Sequence, residues 1–381
     1  MSKNNKHKLI PKLRFPEFQN EGEWEVKKLG EICEINNGKA NAQDHIENGR
    51  YPLFDRSEVI KASNEFIFDT EAVIIPGEGM RFIPKYYKGK FNLHQRAYAL
   101  NNFKCFGKFI YYSILNKSTI LSHKAVQSTV LSLRLPILQN LNIELPKSLI
   151  EQEKIASCLS SLDEVITGEQ QKLELLKQHK KGLLQNLFPQ EGETVPKLRF
   201  KEFENSGEWE VKQIGDILNV ESSSLAFNKL ELKKNGYAVY GADSIVGYID
   251  TYQHSERYIS IVKDGSGVGR LNLCKPETSI LGTLSALKSK NENKYLIVWA
   301  YYLLNTIDFS SYVKGAGIPH IYFSDYKHHR IGVATPKEQQ KIAACLSSLD
   351  DLITAQTQKI EQLQRHKKGL LQGLFPNINN E

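Results

Sequence analysis

Apolar side chains recur at alternating intervals of four and three residues in two stretches of the chain. The first stripe is Ile155, Leu159, Leu162, Ile166, Glu169, Leu173, Leu176, Lys180, Leu183 and Leu187, and the second is Ile342, Leu346, Leu349, Ile353, Gln356, Ile360, Leu363, Lys367, Leu370 and Leu374. A period of 3.5 residues over about five heptads is typical of a coiled-coil seam. Because either stripe alone would expose apolar surface to water, we expect the two helices to pack on each other.

Local signals give the ends of both helices. Ser148 and Thr335 each stand three residues before a glutamate, which is the form of a capping box. Phe188-Pro189 and Phe375-Pro376 end the pattern, since proline cannot continue the helical hydrogen bonds. We therefore predict helices over 148–189 and 335–376. An antiparallel pair is favoured, because a parallel one would need the whole intervening segment to run back along the helices. The polar seam positions, Glu169 with Gln356 and Lys180 with Lys367, are candidates for fixing the register.

The helical stretches are part of a larger internal repeat. Residues 151–189 match 338–376 at 27 of 39 positions, and the opening segments 10–32 and 195–217 match at 16 of 23. Between them lie two dissimilar inserts of similar length, 33–145 and 218–334. The predicted organisation is a domain over 1–147, a helix over 148–189, a second domain over 190–334, a helix over 335–376 and a tail over 377–381.

Both inserts have the pattern of mixed, strand-rich domains. Residues 71–79 and 257–269 are each a short apolar run broken by glycines, as at the end of a strand. Residues 108–116 and 295–305 are apolar enough to form buried helices. The parallel order predicts one α/β (mixed) fold that occurs twice with diverged surfaces, in a pseudo-two-fold, circular arrangement that brings the chain ends close together.

Composition narrows the class of protein only slightly. The 381 residues are 40% hydrophobic and 24% charged, as in ordinary globular proteins. The net charge of +7 suits a polyanionic partner but is weak evidence at this length. Five cysteines lie far apart, which favours reduced thiols over a metal site or disulfides. With neither a secretory signal nor an apolar run long enough to span a membrane, we expect a cytoplasmic protein.

Catalytic motifs are missing from the sequence. It contains no GxxxxGK[ST], HExxH or GxSxG motif, and no Asn-Pro-Pro-aromatic tetrapeptide of amino-methylating enzymes. The glycines at 265, 267 and 269 do not have the spacing of a dinucleotide-binding turn. The histidines are scattered, and His328-His329 lies in a basic run that is better explained as a solvated surface than as a metal site. We therefore expect neither a metal site nor a bound cofactor in this chain.

Basic, aromatic and amide residues cluster in both inserts. Lysine and arginine can neutralise phosphates, while Arg, Gln and Ser can contact base edges. Each stretch alone could equally be a solvated loop, but several stretches in both inserts favour DNA binding. The candidate DNA-binding residues are Arg81, Lys85, Tyr86, Lys88, Lys90, His94, Gln95, Arg96, Lys124, Gln127, Ser128 and Thr129 in the first insert, and Lys263, Arg270, Lys314, His320, Lys327 and Arg330 in the second.

The chain resembles the specificity subunit of type I restriction–modification systems. The resemblance rests on the paired "PKLRF…EF…GEWEV" openings and the paired "EQxKIAxCLSSLD…HKKGLLQxLFP" helices around two dissimilar inserts, and it covers essentially the whole chain. It implies two target recognition domains, each contacting one half of a bipartite site in double-stranded DNA. It also implies an antiparallel coiled coil that binds two modification (methyltransferase) subunits. S-adenosylmethionine would be bound by those subunits, and motor-nuclease restriction subunits would complete the complex.

Two other functions stay open. The same architecture could serve a stand-alone, sequence-specific DNA-binding regulator, and an enzyme such as a fused methyltransferase or nuclease is the third possibility. The missing cofactor and metal motifs argue against the enzyme. Residues on the helices that we expect to be exposed favour a partner-bound subunit over a lone binder; these are Gln152, His179, Lys181 and Gln185.

Overall fold

The computed structural model describes residues 9–126, 130–315 and 317–376. These residues form two compact units that each draw on two parts of the chain. The first unit comprises the chain up to Gln170 together with the stretch from Gln358 onward, and the second comprises Gln171–Thr357. Each unit therefore holds one insert and a part of each long helix.

The elements of the first unit follow the predicted pattern of a strand-rich domain with buried helices. Its strands are β1 (Glu25–Lys28), β2 (Glu34–Asn37), β3 (Tyr51–Phe54), β4 (Lys61–Ser63), β5 (Phe68–Pro76), β6 (Lys85–Leu93), β7 (Ala97–Asn101) and β8 (Asn142–Leu145). Its helices are α1 (Leu29–Ile32), α2 (Gly107–Asn116), α3 (Ser118–Lys124) and α4 (Leu135–Gln139), followed by the first part of the long helix α5 (Leu149–Asn186). Short 3-10 helices span Pro16–Phe18 and Ala42–Asp44.

The second unit repeats this order. Its strands are β9 (Glu210–Gln213), β10 (Leu218–Ser222), β11 (Tyr237–Tyr240), β12 (Ile245–Ile249), β13 (Tyr258–Val262), β14 (Leu271–Cys274), β15 (Ser279–Ile280), β16 (Leu284–Ser289) and β17 (Arg330–Val333). Its helices are α6 (Ile214–Ile217), α7 (Ile297–Leu304) and α8 (Phe323–Tyr326), with the long helix α9 (Pro336–Gly373) beginning here. Short 3-10 helices span Lys201–Phe203, Phe227–Lys229 and Phe309–Tyr312.

The sheets of the two units have the same strand order. In the first unit one sheet runs β2-β7-β5-β6-β3-β4, and β1 pairs with β8 in the opening segment. In the second unit β10-β16-β13-β14 corresponds to the first four of these strands, and β15-β11-β12 corresponds to the last three. The role of β6 is thus divided between β14 and β15. The prediction of one mixed fold occurring twice is confirmed at the level of strand order, with an interruption that the sequence did not indicate.

The central strands are apolar because both of their faces are covered. Val73, Ile75 and Leu100 pack against helix α2 in one core cluster, and Ala72 and Ile74 face a second cluster on the other side of β5. Such a strand cannot show the alternation of a half-exposed strand, so it appears in the sequence as a continuous apolar run. The predicted buried helices over 108–116 and 295–305 correspond to α2 and α7.

The long helices follow the predicted seam. Every seam position is buried or half-buried, including the polar ones. Within the first unit, Lys359 forms an ion pair with Glu169 at 2.5 Å, and Lys367 pairs with Asp163. Because a higher number in α9 pairs with a lower number in α5, the two segments run antiparallel there. The helix bounds fall one to three residues inside the predicted 148–189 and 335–376.

Each polar lysine of the seam has an acidic partner within its own unit. Lys180 lies 2.5 Å from Asp350, whose other carboxylate oxygen accepts a hydrogen bond from the Tyr302 hydroxyl at 2.7 Å. Lys367 pairs with Asp163, which accepts from the Tyr112 hydroxyl at 2.8 Å. Each lysine also lies over the ring of the same tyrosine, at 5.6 and 5.8 Å. The polar seam positions therefore join the helices to the insert helices α2 and α7.

The opening segments hold the ends of the long helices. Arg14 donates two hydrogen bonds to the buried carboxylate of Glu151, at 2.8 Å each, and Arg199 makes the same pair with Glu338 at 2.8 and 2.9 Å. Ser148 and Thr335 accept from the glutamate amides at 3.4 Å, as predicted for helix caps. The capping-box pattern did not predict that the two glutamate carboxylates would bind these arginines.

The same segments also contact the opposite helix ends. In the first unit the amide of Leu13 donates to the carbonyl of Gly373 at 2.8 Å, and the ring of Trp24 packs edge-on against Phe375. In the second unit the amide of Leu198 donates to Asn186 at 2.8 Å, and Trp209 packs against Phe188. The repeated sequence thus serves to join one helix beginning and one helix end in each unit.

One residue proposed for partner contact is not exposed. Gln152 is buried, and its amide oxygen accepts from the backbone of Phe106 at 3.0 Å while its nitrogen donates to Pro146 at 2.9 Å. Gln339 makes the same contacts with Leu296 and Ala334. The expectation that Gln152 is exposed is wrong, because its side chain caps the start of α2. His179, Lys181 and Gln185 are exposed as expected.

Candidate nucleic-acid interface

A polar cleft of about 360 Å³ opens beside the turn between β6 and β7 in the first unit. Hereafter it is called the first-unit cleft, and its lining residues are Asn41, Asp55, Arg56, Lys61, Glu78, His94, Gln95 and Arg96. These residues come from five separate places in the sequence, at or near the ends of strands. Because three consecutive side chains come from one turn, 94–96, the geometry of that turn determines what the cleft can bind.

The 94–96 turn is held rigidly by its backbone. The amides of His94 and Gln95 donate to carbonyls of two other segments of the same unit, and the carbonyl of Arg96 accepts from the amide of Gly77. These hydrogen bonds are His94 to Phe54 at 2.8 Å, Gln95 to Ala40 at 2.9 Å, Gly77 to Arg96 at 2.8 Å and Ala97 to His94 at 2.9 Å. Groups that are held in place before binding lose less conformational entropy when a ligand binds.

Paired charges line the cleft. Nη1 of Arg96 donates to both carboxylate oxygens of Glu78, at 2.9 and 2.8 Å, and the arginine side chain keeps 62% of its exposure. Nζ of Lys61 lies 2.7 Å from the Asp55 carboxylate. Burial alone would raise the pKa of Asp55, but the Lys61 ammonium and the Ser57 amide outweigh it and hold that pKa below its ordinary value. The Asp55 and Glu78 side chains thus each lie beside a cationic donor.

The second unit has the same backbone arrangement with different side chains. The corresponding hydrogen bonds are Leu281 to Tyr240 at 3.0 Å, Gly282 to Leu225 at 2.8 Å, Lys263 to Thr283 at 2.9 Å and Leu284 to Leu281 at 3.0 Å. His94, Gln95 and Arg96 of the first unit thus correspond to Leu281, Gly282 and Thr283 of the second. One scaffold holds a basic, amide-bearing turn in one unit and a neutral turn in the other.

A second pair of matching loops adjoins these turns. The backbones of Val126 and Ser132 exchange two hydrogen bonds, and Ser132 also bridges to Glu78. In the second unit Lys314 and His320 exchange the same hydrogen bonds, and His320 bridges to Asp264. The same backbone pairing therefore stands beside an acidic residue in each unit.

Lys314 carries a charge at the base of its loop. It forms an ion pair with Asp325 at 2.5 Å while remaining 63% exposed. The hydrogen bond from Lys314, followed by the backbone amide of Tyr322, lowers the pKa of the Asp325 carboxyl. An open depression of about 630 Å³ adjoins this loop and is lined by Gly265, Ser266, Val268, Gly269, Ile307, Asp308, Phe309, Ser310, Val313 and Pro319.

The family model for the type I restriction modification DNA specificity domain matches the chain twice, at residues 21–178 and 206–365. The chain belongs to this family. Its two matches coincide with the two inserts and the helices that follow them, so the resemblance seen in the sequence is confirmed.

Two curated relatives are specificity subunits. The chain is 28% identical to the type I restriction enzyme EcoDI specificity subunit of Escherichia coli over 56% of its length, and the match spans 54% of that protein. It is 25% identical to the MjaVIII specificity subunit of Methanocaldococcus jannaschii over 97% of this chain and 95% of that one. Specificity subunits are not the catalytic subunits of their systems.

Solved structures agree at the level of the fold. A type I restriction–modification S subunit from M. genitalium superimposes with a TM-score of 0.72 at 17% identity, covering 97% of this chain and 100% of that one. A chain from a study of complex assembly and conformational transition of the type I R-M system gives 0.53 at 14% identity, covering 93% and 98%. The mixed α/β fold with two repeated domains is therefore that of the specificity subunits.

In this family member the structure groups some first-insert candidates and separates others. His94, Gln95 and Arg96 line the first-unit cleft. Lys85 and Tyr86 already have partners, since Lys85 donates to the Ser57 carbonyl and the Tyr86 hydroxyl donates to Glu71 at 2.8 Å. Burial lowers the pKa of Lys85.

The remaining first-insert candidates that the structure describes do not line the cleft. Arg81, Lys88, Lys90 and Lys124 are exposed. The Lys90 ammonium lies 4.7 Å from the centre of the Phe66 ring. Gln127, Ser128 and Thr129 lie outside the described residues. Exposed lysines away from the cleft suit contacts with phosphates better than contacts with base edges.

Some of the second-insert candidates lie beside the candidate interface, and others lie elsewhere in the unit. Lys263 adjoins the Lys314–His320 loop, because its carbonyl accepts from Ile321 at 2.8 Å. Arg270 is half-exposed and pairs with Asp243. Lys327 and Arg330 lie elsewhere, since the Lys327 carbonyl accepts from Gly215 and Arg330 pairs with Gln213 in the β17–β9 ladder. These two residues lie in or beside the β17–β9 pair, which corresponds to the β1–β8 pair of the first unit.

Sequence reasoning missed five members of the cleft: Asn41, Asp55, Arg56, Lys61 and Glu78. Clusters of basic and aromatic residues do not reveal these five, because they come from four separate places in the sequence and include two acids. A signal was present, since Asp55-Arg56 follows directly on the apolar end of β3 and Glu78 comes two residues after the apolar end of β5. Among the described residues no group of histidine, cysteine and acidic side chains could hold a metal ion, and no helix is long and apolar enough to cross a membrane.

Proposed function

We propose that this chain is the DNA sequence-specificity subunit of a type I restriction–modification complex, in which each insert contacts one half of a bipartite DNA site. Family membership supports the general role. The observation that carries the finer statement is the shared backbone arrangement of the 94–96 and 281–283 turns with different side chains. Two equivalent surfaces with different donors and acceptors are suited to two different half-sites.

The proposal also covers the long helices. We propose that α5 and α9 form one antiparallel coiled coil, related by a pseudo-two-fold axis, that docks two modification subunits. The support is that Lys180 with Asp350 and Lys367 with Asp163 make the same contact in each unit. Repeated exposed side chains, such as His179 and His366, provide equivalent surfaces for two copies of one partner.

Catalysis and cofactor binding are assigned to the partners. In this proposal the modification subunits bind S-adenosylmethionine and methylate adenine, restriction subunits join to cleave, and this chain contributes the choice of site. The cleft chemistry supports this division, because its paired charges and amides are suited to recognition. Double-stranded DNA and the modification subunits are therefore the proposed partners, in the cytoplasm where the DNA lies.

Methylation mapping tests the proposal. Adenine methylation is sequenced after incubating DNA with the modification subunits of the same system, with and without this chain. We expect methylation at a bipartite site only when the chain is present, and none from the chain with S-adenosylmethionine alone. Methyl transfer by the isolated chain, or the same methylated sites without it, would overturn the proposal. Sequence-selective DNA binding with no effect on methylation would indicate the regulator instead.

A further inference from the structure

Glu78 is an acidic residue placed where a DNA-binding surface would ordinarily exclude one. It lies in the first-unit cleft with 23% of its side chain exposed, and both of its oxygens face Nη1 of Arg96. Its loop is fixed, because the amide of Gly77 donates to Arg96 and the Glu78 backbone bridges to Ser132. The carboxylate is therefore a built component of the surface.

A cleft that binds phosphate would not pair its arginine with a carboxylate. Glu78 would repel a phosphate that Arg96 attracted, and Asp55 occupies the Lys61 ammonium in the same way. Base edges are different, because they present donors and acceptors side by side. A surface that holds a fixed cationic donor beside a fixed anionic acceptor is complementary to such an edge.

We propose that Arg96 and Glu78 together contact one G·C base pair of the first half-site. In the major groove guanine offers two acceptors, N7 and O6, and the paired cytosine offers the N4 amino donor next to them. Arg96 supplies the donors for guanine, and Glu78 accepts from the cytosine amino group. An A·T pair would place the O4 acceptor of thymine where Glu78 needs a donor, so the carboxylate also rejects the wrong pair.

Glu78 is thereby a specificity-determining residue, and this inference rests on the proposed function of the chain. The second unit makes a different prediction for its own half-site, since Thr283 corresponds to Arg96 while Asp264 corresponds to Glu78. Without the arginine the same recognition of guanine is not available there. The Glu78→Gln substitution should therefore affect the first half-site alone, which provides an internal control.

The test is selection of duplexes from a random library by the full complex of chain and modification subunits. Wild-type complex, Glu78→Gln and the matched control Glu47→Gln are compared; Glu47 is exposed and does not line the cleft. We expect one position of the first half-site to prefer G·C by about tenfold or more in the wild type. Glu78→Gln should lose most of that preference with the second half-site unchanged, and Glu47→Gln should match the wild type.

A base analogue identifies the atom involved. Replacing the cytosine of that pair by pyrimidin-2-one, which lacks only the N4 amino group, should weaken wild-type binding by about tenfold and leave Glu78→Gln binding almost unchanged. If Glu78→Gln retains the wild-type preference at every position, the inference is overturned. If the wild type selects no bipartite site, the proposed function itself has failed.

A structural role for Glu78 gives a different result. Should Glu78→Gln lose selection over the entire first half-site, Glu78→Asp decides the matter, because it keeps the carboxylate. Recovery of the G·C preference by Glu78→Asp supports the contact. Absence of recovery assigns Glu78 to folding of the loop and overturns the inference.

Discussion

His254 is a buried ionisable residue in the second unit. Its ring packs 4.2 Å from that of Tyr258, and its Nδ1 lies 3.3 Å from the Glu221 carboxylate, which also pairs with Lys288. Burial, followed by the Lys288 ammonium, lowers the pKa of His254, and Glu221 only partly opposes this. The folded unit therefore favours the neutral imidazole.

This residue predicts a dependence of stability on pH. In the unfolded chain a histidine has a pKa of about 6.5, so below that pH the unfolded state binds a proton that the folded unit resists. The stabilisation is fully present above about pH 6.5 and is lost as the pH falls. Urea unfolding of the second unit can be followed by amide exchange in β13. The urea concentration at the midpoint should be lower at pH 5.5 than at pH 7.5. His254→Phe should flatten this dependence, and the exposed-site control His45→Phe should not. Equal slopes in wild type and His254→Phe would contradict the prediction.

At the scale of elements, the opening segments act as connectors between helix ends. The Arg14 and Glu151 side chains are 6% and 0% exposed, so the pair is almost fully removed from water. Arg199 and Glu338 are equally buried, at 7% and 1%. Removing one partner of a buried pair leaves an uncompensated charge, which is more damaging than removing both.

Arg14→Met should therefore destabilise the first unit by about 3–5 kcal/mol. Amide exchange at the start of α5 should increase while the start of α9 stays protected, and Arg199→Met should give the reverse pattern. Adding Glu151→Leu to Arg14→Met should restore much of the lost stability, because the buried charge is removed. An unchanged exchange pattern in Arg14→Met would show that the ion pair does not hold this helix end.

The contact of Asp163 with Lys367 and Tyr112 makes a second prediction about the helices. Asp163→Ala leaves a half-buried ammonium and a buried hydroxyl without their acceptor, at a cost of about 1–3 kcal/mol. Glu164→Ala is the matched control, since the neighbouring residue is exposed. Chemical denaturation followed by circular dichroism measures both. Equal midpoints for the two variants would show that this seam contact contributes nothing to stability.

At the scale of the whole molecule, the two inserts attach to equivalent positions. Leu29 donates to the carbonyl of Leu141 in the first unit, as Ile214 does to His329 in the second. Within the inserts, the segments 34–140 and 219–328 therefore correspond, and exchanging them leaves the β1–β8 and β9–β17 pairs intact. The equivalence of these junctions makes an exchange between the two units feasible.

Replacing 34–140 by a second copy of 219–328 should give a chain with two identical recognition surfaces. If α5 and α9 are related by the proposed pseudo-two-fold axis, the complex should then methylate an inverted repeat of the wild-type second half-site with unchanged spacing. Methylated-adenine sequencing with the exchanged and wild-type chains measures this. A direct repeat, or loss of the second half-site itself, would contradict the proposed symmetry.

The sequence by itself determined the features that depend on local pattern. The seam from Ile155 to Leu187 predicted α5, since burying one helical stripe requires apolar residues at that period. The repeat predicted two related domains, and its motifs predicted the family, because the opening segments and helices must keep the contacts that Arg14 and Trp24 make.

Only the tertiary structure decided which polar residues meet. Gln152 has the same local sequence signals as an exposed helix residue, but the start of α2 lies against it and buries it. Glu78 and Arg96 are 18 residues apart, and they meet because β5 and β7 pair antiparallel and bring Gly77 to Arg96. Long-range strand pairing is not encoded in a short window of sequence. The recognition surface, which is built from strand ends, therefore appeared only when the fold was known.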